Sequence, residues 1–221
     1  MRLKLFSVLL DLIFPPRCIF CRGIALSGNR ICEKCTDEIS HMTADKCIYL
    51  PVAGETVLCT APYLYQGKIR ESIIRFKFYG QQHFADFYAA GMSEQVRKNC
   101  PDSQFDTVTP VPISSERYKV RGYNQSELLA RAVAECLQLP FGEYLVKIKD
   151  NREQHKLSKK DRRSNVSGVY LPKDRDKIAG KSILLIDDIV TTGATLRECA
   201  SVLLQSGAKQ VMCAAVAYVV R

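Results

Sequence analysis

The sequence of 221 residues contains no uninterrupted apolar run of 18 or more residues, which argues against a transmembrane helix. It has no internal repeat and no low-complexity segment. Its 47% hydrophobic and 25% charged residues are typical of a globular protein, and they exclude disordered and fibrous classes. The three histidines show neither an HExxH motif nor paired spacing, so we expect no histidine metal site.

Positive charge is abundant and unevenly distributed. The chain has 32 Lys and Arg against 23 Asp and Glu, a formal net charge of +9. The window of residues 147–181 holds twelve basic and five acidic residues, so it carries +7 of that charge. A local basic block of this kind favours a phosphate-bearing or polyanionic partner.

The first fourteen residues resemble a signal peptide only superficially. Asp11 interrupts the apolar run, no small-residue cleavage site follows, and a proline pair leads directly to the first cysteine. We interpret this segment as a short amphipathic helix of a cytoplasmic protein. A peripheral membrane anchor is the alternative, although the polar face carries little charge.

Four of the ten cysteines form two Cys-x2-Cys pairs with ten residues between them. Zn²⁺ prefers four soft ligands in a tetrahedron, and each pair supplies two thiolates from a tight turn. We therefore predict a closed structural Zn²⁺ site with no catalytic role, and a redox-active pair is the alternative. Cys47 and Cys59 are too loosely spaced to predict a second site. The predicted zinc ligands are Cys18, Cys21, Cys32 and Cys35.

Beyond the cysteine-rich part, strands alternate with helices, which predicts a parallel sheet in an α/β fold. We divide the chain into residues 1–60, an N-terminal helix with a four-cysteine module, and residues 61–221, one α/β domain. Asn124 or Ser126 is expected to cap a helix. Predicted helices cover residues 69–77, 83–98, 124–137 and 194–206; predicted strands cover residues 105–112, 144–148, 183–186 and 210–220.

Residues 183–195 combine an apolar strand with polar groups. The strand runs into Asp187 and Asp188, and open α/β sheets bind ligands at the carboxyl ends of their strands. The loop from Thr191 to Gly193 then opens a helix, so its N–H groups and hydroxyls can hold an anion. The carboxylates can accept hydrogen bonds from ribose or bind Mg²⁺ through water. A Walker loop is excluded, because Arg175 stands where that motif requires glycine.

Aromatic and basic residues alternate between residues 63 and 79. Such a mixture can stack bases and hold a phosphate backbone. The spacing also fits an amphipathic helix with core aromatics, which is the interpretation we favour.

Residues 183–195 resemble the signature of type I phosphoribosyltransferases that binds 5-phosphoribosyl-1-pyrophosphate (PRPP). Residues 111–125, which begin Val-Pro-Ile-Ser and include Arg-Gly-Tyr-Asn-Gln, resemble that family's pyrophosphate loop. Residues 152–165 lie where such enzymes carry a mobile hood loop. With the four-cysteine module in front, the whole combination resembles the ComF family of competence proteins (ComFC/GntX-like) over nearly the whole chain.

The resemblance implies a type I phosphoribosyltransferase-like fold, a parallel sheet flanked by helices and preceded by a small zinc-ribbon-like module. It implies that PRPP binds together with Mg²⁺. Asp187 and Asp188 would hold the ribose hydroxyls, and Arg117 and Arg121 would neutralise the pyrophosphate; these four are the expected catalytic residues. The remaining expected PRPP contacts are Val111, Pro112, Ile113, Thr191, Thr192, Gly193, Ala194 and Thr195.

The resemblance also implies a role with single-stranded DNA in natural transformation, beside a helicase-like partner and a membrane channel. The alternatives are an active phosphoribosyltransferase of nucleotide salvage and a scaffold whose zinc module docks a partner. Thr191 stands where purine-salvage members carry a carboxylate and cannot act as a general base at neutral pH, so we do not expect 6-oxopurine salvage. The expected DNA contacts are Arg152, Lys156, Lys159, Lys160, Arg162 and Arg163.

Overall fold

The structure, a computed structural model, describes residues 15–25, 30–44, 47–101, 104–148 and 168–220. The predicted N-terminal helix and the basic segment 151–167 lie outside the described residues. The strands are β1 (Ile48–Val52), β2 (Glu55–Thr60), β3 (Tyr63–Leu64), β4 (Thr107–Pro110), β5 (Leu145–Lys147), β6 (Tyr170–Pro172), β7 (Ser182–Val190) and β8 (Gln210–Tyr218). The helices are α1 (Glu33–Ser40), α2 (Gly67–Phe78), α3 (Phe84–Asn99), α4 (Ser115–Arg121), α5 (Gln125–Leu137) and α6 (Ala194–Gln205).

The main sheet has six strands in the order β1-β2-β8-β7-β4, and β3 pairs with β8 beyond the end of β2. The pairs β2–β8, β8–β7 and β7–β4 are parallel, as predicted. The β1–β2 hairpin is antiparallel and was not predicted. The predicted boundary after residue 60 falls between β2 and β3, and both strands pair with β8. Strands β5 and β6 form a separate antiparallel pair.

The central strands are apolar on both faces because helices cover both sides of the sheet. In β7, Leu184 and Ile186 belong to the core that α2, α3 and α5 cover, with Tyr88 fully buried there. Ile183 and Leu185 point to the opposite core, which α6 covers. A run that alternates between two buried faces has no polar side, which explains the uninterrupted hydrophobic pattern of the sequence.

Strand β7 is longer than predicted. The sequence placed its end at residue 186, but it continues through both aspartates to Val190. The reason is that β8 also continues and pairs with this stretch, with Asp187 opposite Ala215 and Val190 opposite Tyr218. The other neighbour, β4, ends opposite Ile186. The two carboxylates therefore lie on a paired strand but beyond the end of β4.

Helix α4 lies where the sequence predicted a loop. Ser114 caps it, since its hydroxyl accepts a hydrogen bond from the Arg117 N–H at 3.3 Å. The left-handed Gly122 ends it, with φ +78°. The predicted helices over residues 69–77, 83–98, 124–137 and 194–206 are confirmed as α2, α3, α5 and α6, and Asn124 is the cap of α5.

The cysteine-rich part packs against the helical face of the sheet. Ile19 and Phe20 are buried, and the Phe20 ring meets Phe87 edge-on with centroids 5.5 Å apart. The Arg75 Nη2 atom donates to the carbonyl oxygens of Ile19 and Phe20, each at 2.7 Å. Within the described parts of the chain, no helix is both long and apolar enough to cross a membrane.

Candidate functional site

The two aspartates at the end of β7 are held by different partners. The Asp187 Oδ1 atom accepts hydrogen bonds from the Ser126 hydroxyl at 3.0 Å and from the Asp188 N–H at 2.8 Å. The Asp188 Oδ2 atom forms an ion pair with Lys77 Nζ at 2.8 Å. Only 17% of the lysine side chain and 14% of the aspartate side chain are exposed. The pair is therefore shielded from bulk water.

Burial raises the pKa of Asp187 to about 7, and the negative charge of Asp188 adds to the shift. The Asp188 N–H, Lys77 and Ser126 oppose the shift because they stabilise the ionised form. Asp187 can therefore gain or lose a proton near neutral pH. Together with the Lys77 cation, this property limits the negative charge that the site presents to an anionic ligand.

The start of α5 connects this site to the segment after β4. The Asn124 side chain accepts from the Ser126 N–H and donates to the Val111 carbonyl oxygen, both at 3.1 Å. The Val111 N–H donates to the Ile186 carbonyl oxygen at 2.8 Å, which continues the pairing of β4 with β7. These bonds fix Ser126 beside Asp187.

Pro112 and Ile113, which the sequence assigned to the pyrophosphate loop, line a small cavity of about 180 Å³ with Tyr118. Helix α4 follows them and carries both predicted arginines. Arg117 is exposed, whereas Arg121 is half-buried. The segment that runs from β4 to α5 thus contains both arginines and contributes residues to the cavity wall.

Arg121 is anchored from two sides. Its Nη1 atom donates to Gln125 Oε1 at 2.8 Å, and its guanidinium lies 4.8 Å from the centroid of the Phe78 ring. Burial lowers the pKa of Arg121, and the charge of Asp188 acts in the opposite direction. This cation therefore belongs to the electrostatic surroundings of the carboxylates.

The segment from Thr191 to Thr195 joins the end of β7 to the first turn of α6. Gly193 adopts φ +70°, and a Cβ atom there would lie 2.6 Å from Leu50 Cδ2. The Ala194 N–H donates to Thr192 Oγ1 at 3.2 Å, and the exposed Thr191 precedes it. The first turn of α6 presents N–H groups that have no acceptor within the helix.

Sequence reasoning missed Lys77 as a partner of the carboxylates, because 111 residues separate it from Asp188. Ser126 was considered only as a helix cap.

The aromatic residues between positions 63 and 79 were interpreted as the core side of an amphipathic helix. This holds for Phe76, which is buried, but Phe78 and Tyr79 are 58% and 64% exposed. The predicted DNA contacts lie outside the described residues: Arg152, Lys156, Lys159, Lys160, Arg162 and Arg163.

The four predicted zinc ligands come together. The Sγ atoms of Cys18, Cys21, Cys32 and Cys35 all lie within 4.8 Å of one another. Zn–S bonds of about 2.3 Å in a tetrahedron require sulfur separations of about 3.8 Å, so this donor set fits Zn²⁺. Lys68 Nζ lies 3.5 Å from Cys35 Sγ, where a cation offsets thiolate charge.

Cys47 and Cys59 take no part in this cluster. The Cys47 thiol donates to Asn99 Oδ1 at 3.2 Å, and Cys59 is fully buried in β2. Within the described ranges, the four-cysteine cluster is the one group of three or more metal-ligating side chains that the structure brings together.

Comparison with known families agrees with both halves of the chain. A family profile described as "Phosphoribosyl transferase domain" matches residues 124–220, and one described as "Double zinc ribbon domain" matches residues 9–61. The fold and these two matches thus define a protein in which a zinc ribbon precedes a phosphoribosyltransferase domain.

Similar proteins then identify the family. "Competence protein ComFC" of Streptococcus pneumoniae is 31% identical over 193 residues, which cover 83% of this chain and 79% of that protein. "Competence protein ComFC" of Bacillus subtilis is 36% identical over 145 residues, or 66% of this chain and 57% of that protein. "DNA utilization protein YhgH" of Escherichia coli O157:H7 is 27% identical over 203 residues, covering 88% and 86%. The chain belongs to the ComF family, as its motifs predicted.

Proposed function

We propose that this protein binds PRPP together with Mg²⁺ at the carboxyl end of β7, and that it handles single-stranded DNA. The observation that carries the PRPP proposal is the pair of shielded carboxylates, Asp187 and Asp188, placed next to the loop that opens α6. A ribose ring carries adjacent hydroxyl donors, and a phosphate needs N–H donors. This edge of the sheet offers acceptors and donors side by side.

In the proposed complex, the carboxylates accept hydrogen bonds from the ribose hydroxyls, and residues 191–195 hold the 5′-phosphate. Arg121 faces the pyrophosphate end and offsets its charge. Mg²⁺ would shield the pyrophosphate, and carboxylate oxygens are the ligand type that this ion prefers.

Lys77 explains how an acidic site accepts a polyanion. Two ionised carboxylates would repel PRPP, but Lys77 cancels one charge and the raised pKa of Asp187 reduces the other. We infer that Lys77 is a positioning residue, because it holds Asp188 in place without a required contact to the ligand.

The DNA part of the proposal is supported by charge and by the relatives. The window of residues 147–181 carries a net charge of +7, more than one pyrophosphate requires. The similar proteins are named for competence and for DNA utilization. We therefore propose salt-sensitive binding to single-stranded DNA with little sequence preference.

Calorimetry with PRPP and Mg²⁺ tests the first part. Because a hydrogen bond to a charged group contributes about 1.5–3 kcal/mol, Asp187→Asn with Asp188→Asn should weaken binding at least about tenfold. The matched control is Asp174→Asn with Asp176→Asn, which alters a second pair of aspartates in the segment after β6. Unchanged PRPP affinity in a folded Asp187/Asp188 variant would show that the motif is only structural.

The anisotropy of a labelled oligothymidine tests the DNA part. Changing Lys159, Lys160, Arg162 and Arg163 to Glu should flatten the log–log salt dependence by about two to three units, because each phosphate contact contributes about 0.7. Native protein that fails to bind the oligonucleotide at low ionic strength contradicts the proposal. A screen of nucleobases for pyrophosphate release separates binding alone from the salvage activity considered above.

A further inference from the structure

A group of arginine side chains, separate from the carboxylate site, lies between the zinc ribbon and the turn that joins α2 to α3. A cavity of about 760 Å³ opens there. We name it the arginine groove, and it is defined by Arg17, Arg22 and Arg30 of the ribbon and by Arg75 and Tyr79 at the end of α2. The basic segment 151–167 contributes nothing to this definition.

The groove is built on a rigid base. Arg75 uses its Nη2 atom to bond the carbonyl oxygens of Ile19 and Phe20, which ties α2 to the ribbon. Its Nε atom is buried and has no hydrogen-bond partner among the described residues. The two carbonyl bonds hold the Arg75 side chain where it lines the cavity.

The groove lining carries four arginine side chains. Its lining includes His83 and no carboxylate. Arg22 and Arg30 are exposed, and no carboxylate of the described residues forms an ion pair with them. Arginine forks match the geometry of phosphate oxygens, so a cluster of this kind is suited to phosphate groups.

Exposed aromatic rings extend the groove toward the carboxylate site. Tyr79 is 64% exposed in the groove wall, and the adjacent Phe78 is 58% exposed and touches Arg121. Lys77, one residue earlier, pairs with Asp188. The end of α2 therefore offers rings for stacking between two sites that each attract phosphate.

We propose that the arginine groove binds the phosphodiester backbone of single-stranded nucleic acid, with Tyr79 and Phe78 as stacking surfaces for bases. Proteins that bind single strands without sequence preference combine a basic groove with exposed aromatic side chains in this way. The inference rests on the DNA-handling role proposed above and locates a part of it outside the basic segment.

The test compares two charge reversals by oligothymidine anisotropy. Arg22→Glu with Arg30→Glu should weaken binding at least tenfold and reduce the log–log salt slope by about one to two units. The matched control is Arg70→Glu with Lys209→Glu, which makes the same charge change at exposed positions outside the groove. Zinc content and PRPP affinity verify that each variant is folded. Should the Glu variant lose zinc, Arg22→Gln with Arg30→Gln replaces it.

Stacking has its own test. Tyr79→Ala should weaken oligonucleotide binding about tenfold, whereas Tyr79→Phe should retain it, because base stacking needs the ring and not the hydroxyl. Equal losses in the two Tyr79 variants would contradict stacking.

The possible outcomes separate the two proposals. If native protein binds the oligonucleotide and the groove variant matches its control, the groove inference is overturned while the DNA role stands. If native protein binds no oligonucleotide at low salt, both are overturned. If thymidine monophosphate binds as tightly as the polymer, the groove is a site for free nucleotides, and the polymer proposal is wrong.

Discussion

The carboxylate site and the arginine groove, for which we propose related ligands, are built in different ways. The carboxylate site lies on a regular strand, and its motif is continuous from Ile183 to Thr195. The groove is assembled from ribbon turns and the end of α2, parts that are 45 to 62 residues apart in the chain. We expect a site on one strand end to depend less on the ribbon than a site that lies between the ribbon and α2.

We expect the largest effect from a substitution that unfolds the ribbon, because it should abolish one site and leave the other. Cys32→Ser should lose the zinc ion and unfold residues 15–44, because zinc binding supplies about 10–16 kcal/mol to such small modules. Oligonucleotide binding through the groove should disappear, while PRPP binding at β7 should persist. Elemental analysis, limited proteolysis, oligothymidine anisotropy and calorimetry measure these four results.

The control for this change is Cys136→Ser, which alters an exposed thiol outside the ribbon. Native protein that contains no zinc when it is purified without chelators would contradict the metal assignment. Loss of PRPP binding together with the ribbon would contradict the independence of the two sites.

A smaller effect is expected in the pH dependence of stability. The pKa of Asp187 is about 7 in the fold and lies near 3.8 in the unfolded chain. The folded state therefore holds more protons between about pH 4 and 7, so the free energy of unfolding falls as the pH rises through that window. The loss is on the order of 4 kcal/mol.

Asp187→Asn should remove this slope and leave the protein more stable than the native form at pH 8. Urea denaturation at pH 5 and pH 8 measures the difference. Asp176→Asn, at an exposed position, should keep the native slope. An unchanged slope in Asp187→Asn would show that this carboxylate is not the group that titrates.

The smallest effect concerns the loop before α6. Gly193→Ala forces a side chain into φ +70° and against Leu50, which should cost about 1–3 kcal/mol and weaken PRPP binding. Gly180→Ala has a similar φ of +74° but an open environment, so it should show the strain alone. Thermal denaturation compares the two variants, and Leu50→Ala should recover part of the loss in Gly193→Ala. Equal losses at both glycines would show that contact with Leu50 is unimportant.

Features that lie in one continuous stretch of chain could be predicted from the sequence, whereas contacts between distant stretches could not. Apolar runs, helical spacing and the two Cys-x2-Cys pairs are local patterns, so α2, α3, α5, α6, β7, β8 and the zinc ligands were found, whereas α1 was not predicted. The β1–β2 hairpin was missed because Cys and Gly obscured its short alternation. Helix α4 was missed because Pro112 suggested a loop. The partners Lys77 and Ser126 reach the carboxylates only through tertiary packing, which no local pattern records.

The most direct test measures both ligands on both site variants. We predict a crossed result: Asp187→Asn with Asp188→Asn loses PRPP affinity but retains oligothymidine, and Arg22→Glu with Arg30→Glu loses oligothymidine affinity but retains PRPP. Calorimetry and anisotropy on the same protein preparations supply the four comparisons. If both variants lose both ligands in equal measure while they remain folded, or if neither variant loses either ligand, the account of two separate phosphate-binding sites is wrong.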